Sequence, residues 1–437
     1  MTLAPLPSLL RGDRDLTDLL GSRSALLAVA EPARAFVLAA LARVTGRRPI
    51  VVITPTTTDA ERIANDMRAY LGDHEVDVFP AWETLPFERV SPSVETMGRR
   101  LRAMWHLRSQ EGGPAALVIP VKSVLQRLGP HVEETAPVVV RAGQQLDAEA
   151  LVAELVGLGY RREYQVEHRG EIAVRGSIVD VFPSTAEIPV RIDLWGDEVD
   201  RLSEFSVQDQ RSTDDIAEVE LFGCRELRPT PEVRARAEAM MTTESWGRDQ
   251  WDRLAQGLVF DGMESWLPWL TEGEHVLMDL VPTDALVVLV EPRRMRDRAA
   301  DLLDEEAALA GSLAMTWGAD KTSSVLAATG AFPRLHLPFD RLLAHTAAPV
   351  WTMTAAPEGP STTVIQSMGW TPVMGDSSGL VAQLQRLLAD GYRVILAADT
   401  EGSADRLQVV LRDEGLQVSV VPAGYEPDID KDRKSVV

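Results

Sequence analysis

The sequence predicts an α/β protein: a parallel sheet covered by helices, interrupted by an antiparallel α+β section, and followed by a second small α/β unit. Three observations carry this. Short apolar runs alternate with helical stretches over residues 24–128, the pattern of a parallel sheet covered on both faces. From Tyr160 to Ser212 the pattern changes to period-2 alternation broken by turn residues, which marks antiparallel strands. Beyond about residue 350, apolar runs and helical stretches alternate again.

The elements follow in order. "ALLAVA" is a strand, and "RAFVLAALARVTG" a helix closing at Gly46. "PIVVITP" is a fully apolar strand, and "TTDAERIANDMRAYLG" a helix with Thr and Asp cap candidates that stops at Gly72. "VDVFP" and "AALVIPV" are two more strands, separated by the helix "VETMGRRLRAMWHLRS". Met97, Leu101, Met104 and Leu107 form the apolar face of that helix. Arg99, Arg100, Arg102 and Arg108, with Trp105, are assigned to its wet side, which suits either a docked helix or a DNA contact.

After His131, "APVVVRAGQQLDAEALVAELVGLGY" reads as strand, turn and helix. The strand run that follows turns at Arg169-Gly170, Pro183-Ser184 and Gly196-Asp197. Helical sequence resumes near Arg228, where Trp246, Trp251, Trp266 and Trp269 are expected to pack between helices. "ALVVLVEP" is another buried strand, 346–362 the best linker, and "TTVIQS" with "YRVILAADTEGSADRLQVVLRDEGLQVSVVP" the last α/β unit. The end, "GYEPDIDKDRKSVV", leaves that unit without a closing element, so truncation is expected. The domains are therefore drawn as 1–130 (first part of the α/β domain), 131–223 (the inserted section), 224–345 (its second part) and 346–437 (the small unit).

Composition narrows the function. At 437 residues the chain can hold roughly two to four domains. A single cysteine, Cys224, excludes an internal disulfide framework and points to a reducing compartment, read as the cytoplasm. No apolar run approaches the roughly 20 residues of a membrane span. A net charge of −22 repels nucleic acid on average, so a DNA contact would need a local basic patch. The seven histidines show no metal-ligand spacing, and no Gly-x-Ser-x-Gly elbow marks a hydrolase.

One stretch, "LLAVAEPARAFVLAALA" (26–42), has the layout of a phosphate-binding loop without its chemistry. Against G-x-x-x-x-G-K-[ST] it places Ala28, Ala33, Arg34 and Ala35. Such a loop works because glycines let successive backbone N–H groups face the phosphates. Here Pro32 has no N–H, Glu31 adds negative charge, and Ala35 has no hydroxyl for magnesium. Only Arg34 keeps a positive charge, without the compact ammonium of lysine.

Two further stretches carry a family resemblance. "FPAWETLPFERVSPSVETMGRRLRAMWHL" (79–107) resembles the N-terminal region of bacterial transcription-repair coupling factors (Mfd). "YRREYQVEHRGEIAVRGSIVDVFPSTAEIPVRIDLWGDEVDRLSEFSVQDQRS" (160–212) resembles the domain those factors share with UvrB, through "RGSIVDVFP" and "DLWGDEVD". The resemblance implies a degenerate RecA/UvrB-like parallel-sheet domain with an inserted UvrA-interaction domain. Where UvrB carries an Asp-Glu pair after a buried strand, "VLVEP" leaves Val290 and Glu291. The implied role is an adaptor that recruits UvrA to RNA polymerase stalled at lesions, in nucleotide excision repair. ATP, magnesium, and contacts with RNA polymerase and double-stranded DNA would belong to motor and other domains absent here; no cofactor is expected in this segment.

The resemblance puts UvrA binding on Arg161, Arg162, Arg169, Glu171, Arg175, Asp180 and Phe182, with Arg175 in the "VRG" element as the leading residue. Arginine beside an aromatic suits a polar protein interface. The competing reading is a solvated sheet face. Phe182 is open between interface and core: Asp180, two residues before it on a strand, shares its face, so either Phe182 is exposed or Asp180 is buried and paired. The alternative function is a divergent UvrB-like ATPase acting on damaged DNA. The broken loop and the absence of a tyrosine-rich hairpin speak against it.

Overall fold

The computed structural model describes residues 3–85, 87–109, 113–244, 246–271, 273–316, 332–367, 377–392, 394–398 and 400–420, with the side chains of 313–316 excepted. After short helical turns at Leu6–Gly12 and Arg14–Thr17, the longer elements are β1 (Ser24–Ala28), α1 (Arg34–Val44), β2 (Ile50–Thr54), α2 (Thr57–Leu71), β3 (Val76–Val78), α3 (Val94–Arg108) and β4 (Ala116–Pro120). It continues β5 (Val138–Arg141), α4 (Ala148–Gly157), β6 (Arg161–Arg162), β7 (Glu171–Arg175), β8 (Ile178–Val181), β9 (Val190–Trp195), β10 (Glu198–Phe205), β11 (Ser212–Asp215) and β12 (Glu218–Leu221). It then runs α5 (Pro231–Thr243), α6 (Arg248–Ala255), β13 (Leu286–Val290), α7 (Pro292–Thr316), β14 (Val350–Thr354), β15 (Thr363–Val364), α8 (Ser377–Ala389) and α9 (Glu401–Asp413).

The chain forms two compact units, one from Arg47–Arg62 and Asp77–Met353, the other from the described parts of Met1–Gly46, Ile63–Val76 and Thr354–Val437. In the larger unit β14, β13, β2 and β4 pair in parallel in that order. Every residue of β2, β4 and β13 is buried, which is why these strands read as unbroken apolar runs rather than alternating ones.

Within the same unit lies the antiparallel section. Six strands run in the order β11-β10-β9-β8-β7-β6, with only β6 and β7 parallel, and β5 pairs with β12. Asp147 caps α4 by accepting from the N–H groups of Glu149 and Ala150. Helix α4 and one face of the sheet bury a shared core that includes Leu151, Leu155, Ile172, Val179, Val181, Ile192 and Leu202. The tryptophans form a core of their own: Trp246, Trp251, Trp266 and Trp269 pack with Phe87, Leu227 and Phe332.

The linker expected at 346–362 contains β14, with Trp351 and Met353 buried against the sheet. Flanking Ala-Pro pairs hid a Val-Trp-Thr-Met-Thr run that alternates as a strand should. In the smaller unit β1 and β15 pair in parallel, and α8 and α9 share a small core at Val381, Leu384 and Leu411. No strand forms in the described residues 394–398, inside the expected "YRVILAADT" strand, and the expected ragged end lies outside the described residues. Among the described residues no helix is long and apolar enough to cross a membrane.

Candidate interaction surface and the closed nucleotide loop

The loop between β1 and α1 is a tight turn that uses its own backbone donors. Residues Glu31–Ala33 wind into a 3-10 turn, in which the Ala33 N–H donates to Ala30 and the Arg34 N–H to Glu31. Pro32 between them has no N–H, so three consecutive positions turn no donor outward. Ala28 and Ala35 are buried, and so is the Arg34 side chain. At the end of β13, Val290 is buried. Glu291 adopts φ 55, and its N–H goes to the Met353 carbonyl.

The inserted sheet has two faces of different character. One packs on α4. On the other, strand register sets side chains in rows. Ala173, Asp180 and Arg191 stand opposite one another on β7, β8 and β9. Asp180 is fully buried. Arg191 grips it with both arms, Nε to Oδ1 at 2.7 Å and Nη2 to Oδ2 at 3.0 Å, and Arg175 reaches the same carboxylate through Nη2. The Arg191 Nη1 donates to the Gln210 carbonyl at 3.0 Å, and the Gln210 amide to Val166 and Val207. A buried carboxylate held by two guanidiniums is tolerated because its lone pairs are satisfied. Asp180 in turn raises the already high pKa of Arg191.

Below this lock the face is closed. Phe182 is 7% exposed and packs with Val166, Ala173 and Phe205. Phe182 is therefore core, and of the two alternatives left by the sequence, Asp180 is the buried, paired one. Glu171 is also buried: its carboxylate accepts from the N–H groups of Glu167 and His168 at 2.8 Å each, folding the 163–170 loop over the sheet. Arg169 is spent on internal partners, the Ala186 carbonyl at 2.7 Å, Glu187 at 2.5 Å and Glu95 at 3.5 Å. Of the seven residues expected to meet a partner, Arg161 and Arg162 are exposed and Arg175 half-exposed. Glu171, Asp180 and Phe182 build the support instead. Sequence reasoning missed two exposed aromatics in this domain, Tyr164 at 90% and Trp195 at 82%. Strand alternation could have found Trp195, which follows buried Leu194 on β9.

The domain is fastened to α3. Arg100, expected on the wet side of that helix, is fully buried. It donates Nε to Glu226 at 2.6 Å and Nη1 to the Pro80 carbonyl at 3.0 Å, and lies 4.0 Å from the Phe79 ring centre. Glu226 also accepts from Trp82 at 2.8 Å. Arg102 pairs with Asp77 at 3.1 Å and Arg99 with Glu61 at 3.5 Å, while Arg108 donates to the Glu133 carbonyl at 2.7 Å. Burial alone would raise the Asp77 carboxyl, yet His106 and Arg102 hold it below its ordinary value. Tyr160 donates to the Phe222 carbonyl, and its hydroxyl accepts from Ser184 N–H. Burial pushes Cys224, in the same region, up to about 12.

Comparison with known proteins places this geometry. The family model described as the UvrB interaction domain matches residues 138–227. The transcription-repair-coupling factor of Mycobacterium tuberculosis is 41% identical over 287 residues, 62% of this chain and 23% of the relative. That of Escherichia coli is 30% identical over 249 residues, 55% of this chain and 21% of the relative. That of Staphylococcus epidermidis is 24% identical over 432 residues, 92% of this chain and 35% of the relative. The chain thus spans between about a fifth and about a third of the length of these curated relatives. It carries a UvrB interaction domain within a sequence similar to the N-terminal region of transcription-repair-coupling factors.

Proposed function

We propose that this chain is the UvrA-docking module of a transcription-repair coupling factor and carries no nucleotide chemistry of its own. The interaction domain offers Arg161, Arg162 and Arg175 to UvrA and so brings it to RNA polymerase stalled at a lesion, in the cytoplasm. ATP and magnesium, and the grip on polymerase and double-stranded DNA, belong in this reading to further domains of a longer protein. The observation that carries the reading is the division between two sites. The interaction domain keeps arginines accessible, while the loop with a nucleotide-site layout has used or lost its donors. Arginine fits the role because its guanidinium pairs with carboxylates in two-point geometry.

The test is capture of purified UvrA by the full chain. Arg175→Ala is expected to weaken capture by about tenfold, the scale of a significant interface arginine. Arg191 still holds Asp180, so the variant keeps its fold. Unchanged capture would sink the assignment. Saturable ATP binding by the same chain would instead favour an ATP-dependent enzyme acting on damaged DNA.

A further inference from the structure

The connection between β10 and β11, residues 206–211, is built around one side chain. It closes through the Gln210 N–H on the Ser206 carbonyl at 2.8 Å and the Ser206 N–H on the Arg211 carbonyl at 3.0 Å. Gln210 adopts φ 60, a left-handed conformation that Gly and Asn take up more readily than other residues. Every polar group of this residue is then spent nearby. Its carbonyl accepts from Arg191 Nη1 at 3.0 Å. Its Nε2 donates to the Val207 carbonyl at 3.0 Å and to the Val166 carbonyl at 3.3 Å. Both amide hydrogens are thereby taken, so the amide cannot turn over and its Oε1 faces the other way. What it faces is Arg175, whose Nη2 lies 3.5 Å from Oε1.

Arg175 has use for a second point of support. It is the last residue of β7, and its side chain is 37% exposed. Asp180 holds Nη2 from below, but Arg191 already occupies both oxygens of that carboxylate. One contact fixes a single point on a long, flexible side chain. Nη2 carries two hydrogens in the guanidinium plane, so two acceptors on it set the tilt of the whole plane. Gln210 Oε1 is the second acceptor. At 3.5 Å the contact is too long for a strong hydrogen bond, so it acts by direction, through an amide dipole that cannot rotate away. Among the described residues the Nε and Nη1 of Arg175 meet no acceptor, and that edge is left for a partner. A guanidinium already held in place has less freedom to lose on binding.

We propose that Gln210 is a positioning residue of the docking surface: clamped by Val166 and Val207, its amide orients the Arg175 guanidinium for UvrA. This rests on the reading of Arg175 as a UvrA-docking residue. The experiment is a double-mutant cycle on Kd, in which the immobilised full chain is titrated with purified UvrA and Tm is recorded for each variant. Gln210→Asn and Gln210→Gly are made alone and combined with Arg175→Ala. Both replacements accept a positive φ and keep the backbone carbonyl for Arg191, and neither spans from the loop to Arg175. Two are used so that if one fails to fold the other decides. Each is expected to raise Kd about fivefold with Arg175 present and less than about twofold without it, as befits a residue that acts through its neighbour. The same fold-loss with and without Arg175 would mean a general loosening of the loop; it overturns the positioning role and leaves the docking reading standing. Wild-type Kd in the Gln210 variants does the same. Wild-type Kd in Arg175→Ala alone removes the docking reading, and the positioning role with it.

Discussion

Arg100→Ala is the substitution whose cost the structure defines best. The guanidinium is fully buried, and its partner Glu226 is 3% exposed. Removing it deletes the 2.6 Å ion pair, the 3.0 Å bond to Pro80 and the stacking on Phe79. It also leaves the Glu226 carboxylate inside the protein without its cation, still accepting from the Trp82 indole N–H at 2.8 Å. Breaking a buried pair from one side costs about 3–5 kcal/mol, because the surviving charge is stranded. The lost Pro80 bond adds about 1 kcal/mol. The pair itself need not be stabilising: replacing both ends by apolar groups of similar size is often neutral or favourable. Arg100→Met with Glu226→Leu should therefore recover most of what Arg100→Ala loses. The assay is urea unfolding followed by circular dichroism and tryptophan fluorescence. A loss below about 1 kcal/mol for Arg100→Ala, or a double variant no better than the single one, would refute the argument that a stranded carboxylate dominates.

Two further expectations concern titration and access. His275 lies 3.3 Å from Glu133 and 3.4 Å from Asp279, and its pKa is raised, chiefly by Glu133. Its contribution is complete below the ordinary histidine value of 6.5 and is lost as pH climbs through the raised one. His336 is the opposite case, lowered by complete burial against the pull of Glu306, so it costs stability as pH falls from 6.5 through its depressed value. The urea midpoint should thus fall on both sides, and His275→Gln should flatten the alkaline limb only; an unchanged alkaline limb would contradict the pairing. Cys224, fully buried and pushed up to about 12, should react with a thiol reagent only as fast as the protein opens, whereas prompt native-state labelling would contradict its burial.

What the sequence disclosed, and what it hid, follows from where each signal is stored. The parallel strands were legible because burial on both faces leaves apolar runs such as Ile50–Thr54. The short turn at Glu31–Ala33 was not drawn from the sequence, which spoke there only through residue types: Pro32, Ala33 and Ala35 are not those of a phosphate site. The second face of the inserted sheet was not legible. Period-2 alternation separates two faces but does not say which is covered by loops far along the chain, as Val166 and Gln210 cover Asp180 and Phe182. The link between Asp180 and Phe182 was legible even so, since residues two apart on a strand share a fate. Arg100 was misplaced although its spacing was informative: it lies three residues after Met97 and four before Met104, inside the apolar stripe. Charge alone had assigned it to water.

The same buried charges connect support to surface. Arg100 and Glu226 join α3 to the residues that leave the inserted domain, while Arg169 bridges Glu95 of α3 to the 183–189 loop. Gly98 faces Ser184 so closely that an added Cβ would lie 2.4 Å from its Oγ. A domain held at this many points behaves as a rigid extension of the helix under it. Rigidity of this kind matters for docking, because an interface of a few exposed groups gains affinity chiefly by not having to order them. In the proposed docking role, the buried arginines fix the support beneath Arg161, Arg162 and Arg175. A variant that loosens Arg100 should weaken partner capture even though Arg100 can touch no partner.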